Sequence, residues 1–224
     1  MTIGILSWGA HKTLRNTLES YERLGLTALD QERVILFQEM TALDSIIAED
    51  YGYKAIGQAT NIGIAQGYKR LVEVATGDLF LFLENDWTLI ENPEKQIHDA
   101  GQLLRGYVID VARFRHRKYP GEPLYTRQFA GHEEEHPTHM LDSIHWTDPD
   151  KFYGVAKLHD WYVTNAHFAN WTNNPTMFRT EWLKTHILPR IGDRDAEVDL
   201  QPWWEQQRFL VAQSDGLFTH NRIG

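Results

Sequence analysis

The sequence predicts an α/β fold, a central and mostly parallel sheet flanked by helices, on three observations. Short apolar runs alternate with helical periodicities through the first 90 residues. One of those runs, LFLFL at 79–83, is apolar at every position, as in a strand covered by helices on both faces. No repeat and no Pro/Gly/Ser-rich linker interrupts the 224 residues, so a single domain is expected.

In order, residues 2–7 (TIGILS) suit a buried strand. Thr13 then caps a helix whose apolar positions Leu14, Leu18, Tyr21 and Leu24 recur every three or four residues, and Gly25 ends it. Residues 33–37 (RVILF) read as a second strand, 44–50 as a short helix, and 54–58 as a third strand. The stretch that starts at Asn61 is the clearest helix, with Ile64, Tyr68, Leu71, Val72 and Ala75 on one stripe and Gly77 past its end. LFLFL follows as the fourth strand. Beyond it, 108–114 and 176–178 suit further strands, 180–185 opens a helix, and 201–212 reads as another with Pro202 in its first turn. No elements are assigned between 115 and 175.

Composition narrows the function. With 22 Lys+Arg against 31 Asp+Glu the formal charge is −9, which speaks against a general nucleic-acid or anionic-membrane binder. The absence of cysteine rules out disulfides, thiolate nucleophiles and Cys-ligated metals. Neither a membrane span nor a signal peptide is evident, so a cytoplasmic protein is expected. Eight Trp and 11 His are in excess, most of them beyond residue 130.

The fourth strand runs straight into Glu84-Asn85-Asp86-Trp87. Ligands of open α/β sheets bind beyond the carboxyl ends of the strands. Two carboxylates spaced two apart there repel each other, and a hard divalent ion such as Mn²⁺ or Mg²⁺ would relieve the conflict while leaving positions for phosphates. Asp and Asn are also ordinary turn residues at the end of a strand. On local pattern alone both readings stay open.

In the order of its segments the chain resembles the GT-A glycosyltransferases, especially the inverting family 2 group. The segments are the first strand and helix, the second strand, and the helix led by Asn61-x-Gly63. They continue through ATGDLFLFLEND, NNPTMFRTEWL, AEVDL and FTHNR. A narrower likeness is to the capsid-glycosylating domains of large algal viruses, which would place the protein in a host cytoplasm. The resemblance implies a GT-A fold with a nucleotide-binding half over about 1–90 and an acceptor-side half over about 91–224. It implies a UDP-sugar donor, a glycan or glycoprotein acceptor and a Mn²⁺ (or Mg²⁺) ion. Asp86 and His220 would hold the metal, with Glu84 supporting it or touching the ribose. Ser7, Asn61, Gln66 and Asn85 would lie near the base, ribose or phosphates. Where the family usually has an Asp that reads uracil, this chain has Phe37-Gln38-Glu39. Glu197 falls on the usual base position of AEVDL. Asp199 is the nearest rival and Asp160 a more distant one, and read without the resemblance the acids 193–199 are a solvated charge run. Sequence spacing leaves a retaining mechanism open.

Trp161, Trp171, Trp203 and Trp204 could cover the apolar face of a sugar, although packing is the commoner role of each. His132-Glu133-Glu134-Glu135-His136 matches H-E-x-x-H but is fenced by Gly131 and Pro137, so a solvated loop is favoured over a zinc hydrolase site that also uses His139. The basic run 113–118 (RFRHRK) reads as the solvated end of a strand rather than a nucleic-acid site, with phosphate or an anionic acceptor as the alternative partner. Asn170-Trp171-Thr172 is a formal glycosylation sequon without meaning in the cytosol. A non-catalytic module that binds a nucleotide sugar or a glycan is the reading from another class.

Overall fold

A computed structural model of the chain describes residues 1–29, 32–121, 155–193 and 195–221. The His132–His139 cluster lies outside the described residues.

Among the described residues ten strands form one sheet. β1 (Thr2–Trp8), β2 (Glu32–Gln38), β3 (Lys54–Gly57) and β4 (Leu79–Glu84) are parallel to one another in the order β3-β2-β1-β4. Then come β9 (Thr176–Arg179), antiparallel to β4, β6 (Val111–Arg115), and β10 (Leu210–His220), parallel to β6. β8 (Trp161–Asn165) and β7 (Ala156–Leu158) finish that edge as antiparallel strands, and β5 (Trp87–Leu89) pairs with the end of β10.

The LFLFL run behaves as its composition predicts. Leu79, Leu81 and Leu83 enter one core with Ile3, Ile5 and the inner faces of α1 (His11–Leu24), α2 (Ala42–Asp50) and α4 (Glu94–Arg105). Phe80 and Phe82 enter the other, with α3 (Gly63–Val74), the helical segment 180–190 and α5 (Ala196–Trp204). The molecule is therefore an αβα sandwich. Thr41 and Asp44 close a reciprocal capping box on α2, and Gly25, at φ 82°, ends α1 in the left-handed conformation.

Several expectations need correction. α1 begins at His11, with Ala10 at its cap, so Thr13 is a buried first-turn residue. The helix expected over 201–212 is two elements: α5 starts earlier, takes Pro202 into its interior and stops at Trp204, and Leu210 opens β10. The basic run is solvated only at its end, where Lys118 is exposed, because β6 lies between β9 and β10. Arg113, Arg115 and His116 are buried; Arg113 donates to the Asn170 carbonyl, and the Arg115 guanidinium lies 5.0 Å from the centre of the Trp87 ring. The four Trp considered for a sugar platform instead follow the commoner role expected of them: Trp161, Trp171 and Trp204 are core residues, and Trp203 lies under Arg190 at 4.2 Å.

Candidate active site

The carboxyl ends of β1, β2 and β4 lie side by side in the parallel part of the sheet. Leu6 O accepts from Asn85 N (3.1 Å), which fixes the Glu84-Asn85-Asp86 corner against the end of β1. Directly after this corner β5 pairs with β10, setting His220 opposite Trp87. Asn221 N donates to Asp86 O at 2.7 Å, and His220 Nε2 stands 3.1 Å from Asp86 Oδ2. This pairing brings together two of the implied metal ligands. The other oxygen, Asp86 Oδ1, is buried with no hydrogen-bond partner. An orphaned carboxylate oxygen beside an imidazole fits a divalent cation such as Mn²⁺. Among the described residues, however, no group of three or more His, Asp or Glu side chains is arranged to hold an ion. Glu84 therefore does not complete a ligand set with the other two.

Glu84 instead reports on the surrounding charge. Its carboxyl is pushed up to about 8, first by burial and then by the charges of Asp86, Glu197 and Asp195. Acids from both halves of the chain thus face one place. β9 runs antiparallel to β4 with Thr176 opposite Phe82, so the turn before β9 lies beside the end of β4. That turn holds Glu197: Thr172 Oγ1 and Asn173 N both donate to its Oε1, at 3.0 and 2.6 Å. Asp195 caps α5 by accepting from Glu197 N (2.9 Å), and Asn173 Nδ2 reaches Asp195 Oδ1 at 3.4 Å. Asn173 Oδ1 is a second buried oxygen without a hydrogen-bond partner. Asp199 is half-buried on the same helix, where a Cβ on Gly192 would meet its Oδ2 at 2.5 Å.

The remaining expected residues divide. Ser7 is buried in β1 opposite Phe37. Glu39 is exposed just past β2, at φ 53°, and accepts from Nε1 of Trp8 (2.8 Å), whose indole is also exposed. Asn61 is exposed and caps Gly63 N at 2.8 Å. Gln66 turns to a late segment of the chain, donating to Gly192 O (2.8 Å) and Asp193 Oδ1 (3.3 Å). Asp160 is on the far edge, paired with Lys95 at 2.7 Å. Sequence reading missed Trp8, Thr172, Asn173 and Asp195. A Trp that closes the first strand just before a Gly was the available signal for Trp8; nothing local marked the other three. A separate cavity of about 790 Å³ lies between α4 and the amino ends of β1 and β4, away from this chemistry.

No family model matches the chain, and no curated protein matches it in sequence. Solved structures do match in shape. TarS from S. aureus (residues 1–349) superposes with a TM-score of 0.61 at 15% identity, covering 99% of this chain and 60% of that one. Glucosyl-3-phosphoglycerate synthase from Mycobacterium tuberculosis, solved with Mn²⁺, UDP and glucosyl-3-phosphoglycerate, gives 0.52 at 13% identity over 100% of this chain and 73% of its own. The mannosyltransferase PcManGT from Pyrobaculum calidifontis, solved with GDP-Man and Mn²⁺, gives 0.51 at 12% identity over 82% and 45%. At such identities the likeness is one of fold, and the fold is that of the GT-A glycosyltransferases. The chain spans about 60% of the length of the TarS fragment.

Proposed function

We propose that the chain is a glycosyltransferase that moves a hexose from a UDP-sugar to a hydroxyl of a glycan or protein, with inversion. The observation that carries this reading is the Asp86–His220 contact, with its orphaned oxygen, at the carboxyl end of β4 in a GT-A fold. That the M. tuberculosis and P. calidifontis structures hold Mn²⁺ with UDP or GDP-Man is in keeping with it. Asp86 and His220 would hold Mn²⁺ or Mg²⁺, and Glu84 would sit behind the ion or meet the ribose. When bound, the cation supplies Lewis-acid stabilisation of the departing diphosphate. Trp8 offers the base an indole face, and Glu39 beside it accepts from a ring N–H. Glu197 takes the proton of the acceptor hydroxyl as that oxygen bonds to the anomeric carbon. The bond from that carbon to the diphosphate oxygen breaks, and the electron pair leaves with the nucleotide.

Calorimetric titration of UDP, GDP and CMP, each with Mn²⁺ and with EDTA, tests the donor site. Selective UDP binding that vanishes in EDTA, and in a folded Asp86→Ala variant, is the expected result. Unchanged binding in that variant sinks the metal assignment, and no nucleotide binding at all removes the transferase reading. Glu197→Gln should keep UDP affinity yet lose on the order of 10²–10⁴-fold in turnover. Full turnover by this variant would move the base elsewhere, with Asp199 next in line.

A further inference from the structure

We infer that Thr172 is a positioning residue for Glu197: its hydroxyl and the adjoining Asn173 N–H hold one carboxylate oxygen, Oε1, and so set the aim of the whole side chain. The inference rests on the reading of Glu197 as base and adds a residue that this reading does not include.

The geometry is unusual for an acid near the start of a helix. Such acids are commonly solvated and free to choose rotamers, and the run 193–199 looks like one of that kind. Glu197 is instead half-buried, with two donors on a single oxygen. Both donors come from a turn that is itself fixed. Asn174 N donates to Thr172 Oγ1 (3.2 Å), Asn173 Nδ2 reaches Asp195 Oδ1, and Gln201 Oε1 accepts from Trp171 N at 2.9 Å. Thr172 and Asn173 are both buried. A charge-assisted hydrogen bond from a hydroxyl that cannot move restricts rotation about the carboxylate stem. Proton abstraction needs the base within hydrogen-bond reach of the acceptor oxygen, and small errors of placement cost turnover steeply. The structural alternative is that Thr172 serves packing through its methyl group.

Two near-isosteric variants separate the roles. Thr172→Val keeps the shape and loses the hydroxyl; Thr172→Ser keeps the hydroxyl and loses the methyl. The donor is whichever of UDP-glucose, UDP-galactose and UDP-N-acetylglucosamine the unaltered chain turns over, read as UDP release with Mn²⁺ present. Thr172→Val should lose roughly tenfold or more in kcat with the Kd for UDP unchanged, and Thr172→Ser should restore most of it. Wild-type kcat in Thr172→Val overturns the inference, as does loss in Thr172→Ser that equals or exceeds that in Thr172→Val. A fall in UDP affinity that parallels the fall in kcat also overturns it, since the defect would then be general. If the unaltered chain binds UDP and releases none from any of the three donors, the transferase reading fails first and takes this inference with it.

Discussion

Glu84 is where burial and charge meet most sharply. The end of an apolar strand gives it little solvent, and Asp86, Glu197 and Asp195 add negative potential, so its carboxyl is pushed up to about 8. Because the folded value exceeds the reference 4.5, the folded state holds a proton that the unfolded state gives up. The stability contributed by that proton is therefore full below about pH 4.5 and is lost as pH rises toward 8. Melts of the cation-free chain should show on the order of 3 kcal/mol lost through this group between pH 5 and 8. Glu84→Gln should flatten that part of the profile and raise stability at pH 8. Excess Mn²⁺ should flatten it as well, because a nearby cation favours the carboxylate. A slope unchanged in Glu84→Gln would mean that other groups set it.

At the scale of elements, the site depends on β10 changing partners midway. Its first part runs beside β6 and β8; after an irregularity between Gln213 and Phe218 its last residues pair with β5 and deliver His220. Gly216 sits in this irregularity at φ 95°, where an added Cβ would lie 2.4 Å from Arg115 O. Gln96 of α4 fastens the spot, donating to Gly216 O (3.1 Å) and accepting from Ser214 Oγ. Gly216→Ala should cost about 3 kcal/mol, through left-handed strain and collision with backbone. It should also weaken Mn²⁺-dependent UDP binding more than a distant variant of equal stability, since the shift travels to His220. Equal loss in both variants would separate the irregularity from the site. None of this was legible in the sequence. Long apolar runs such as 79–83 announce themselves because both faces are buried, and Asp86 is found by following that run to its end. β5 has only three residues, and β10 follows so closely on α5 that 201–212 reads as one amphipathic stretch. His220 came only from resemblance to other chains. Thr172 and Asn173 acquire meaning only when β9 lays its turn beside β4, a pairing that no local pattern encodes.

For the molecule as a whole, the two halves that the sequence resemblance implies share both apolar clusters. β4 is covered by β9 and β5 by β10, so strands from residues 1–90 find partners among later ones. One apolar cluster gathers residues from Met1 to Phe218, and the other from Leu6 to Val211. Gln66 adds a polar tie to Gly192 and Asp193. A half removed from its partner would leave the edge of β4 unpaired and Leu81 and Phe82 without part of their packing. The full chain should therefore melt in a single transition, coincident by tryptophan fluorescence and far-UV circular dichroism. Residues 1–90 expressed alone should show no cooperative melt. UDP with Mn²⁺ should move the whole transition upward together, because a ligand bound only to the folded state stabilises everything that unfolds with its site. Two separated transitions, or a cooperative melt of the 1–90 fragment, would make the halves independent units. The donor site would then have to be completed by docking of the half that carries His220 rather than by the continuous sheet.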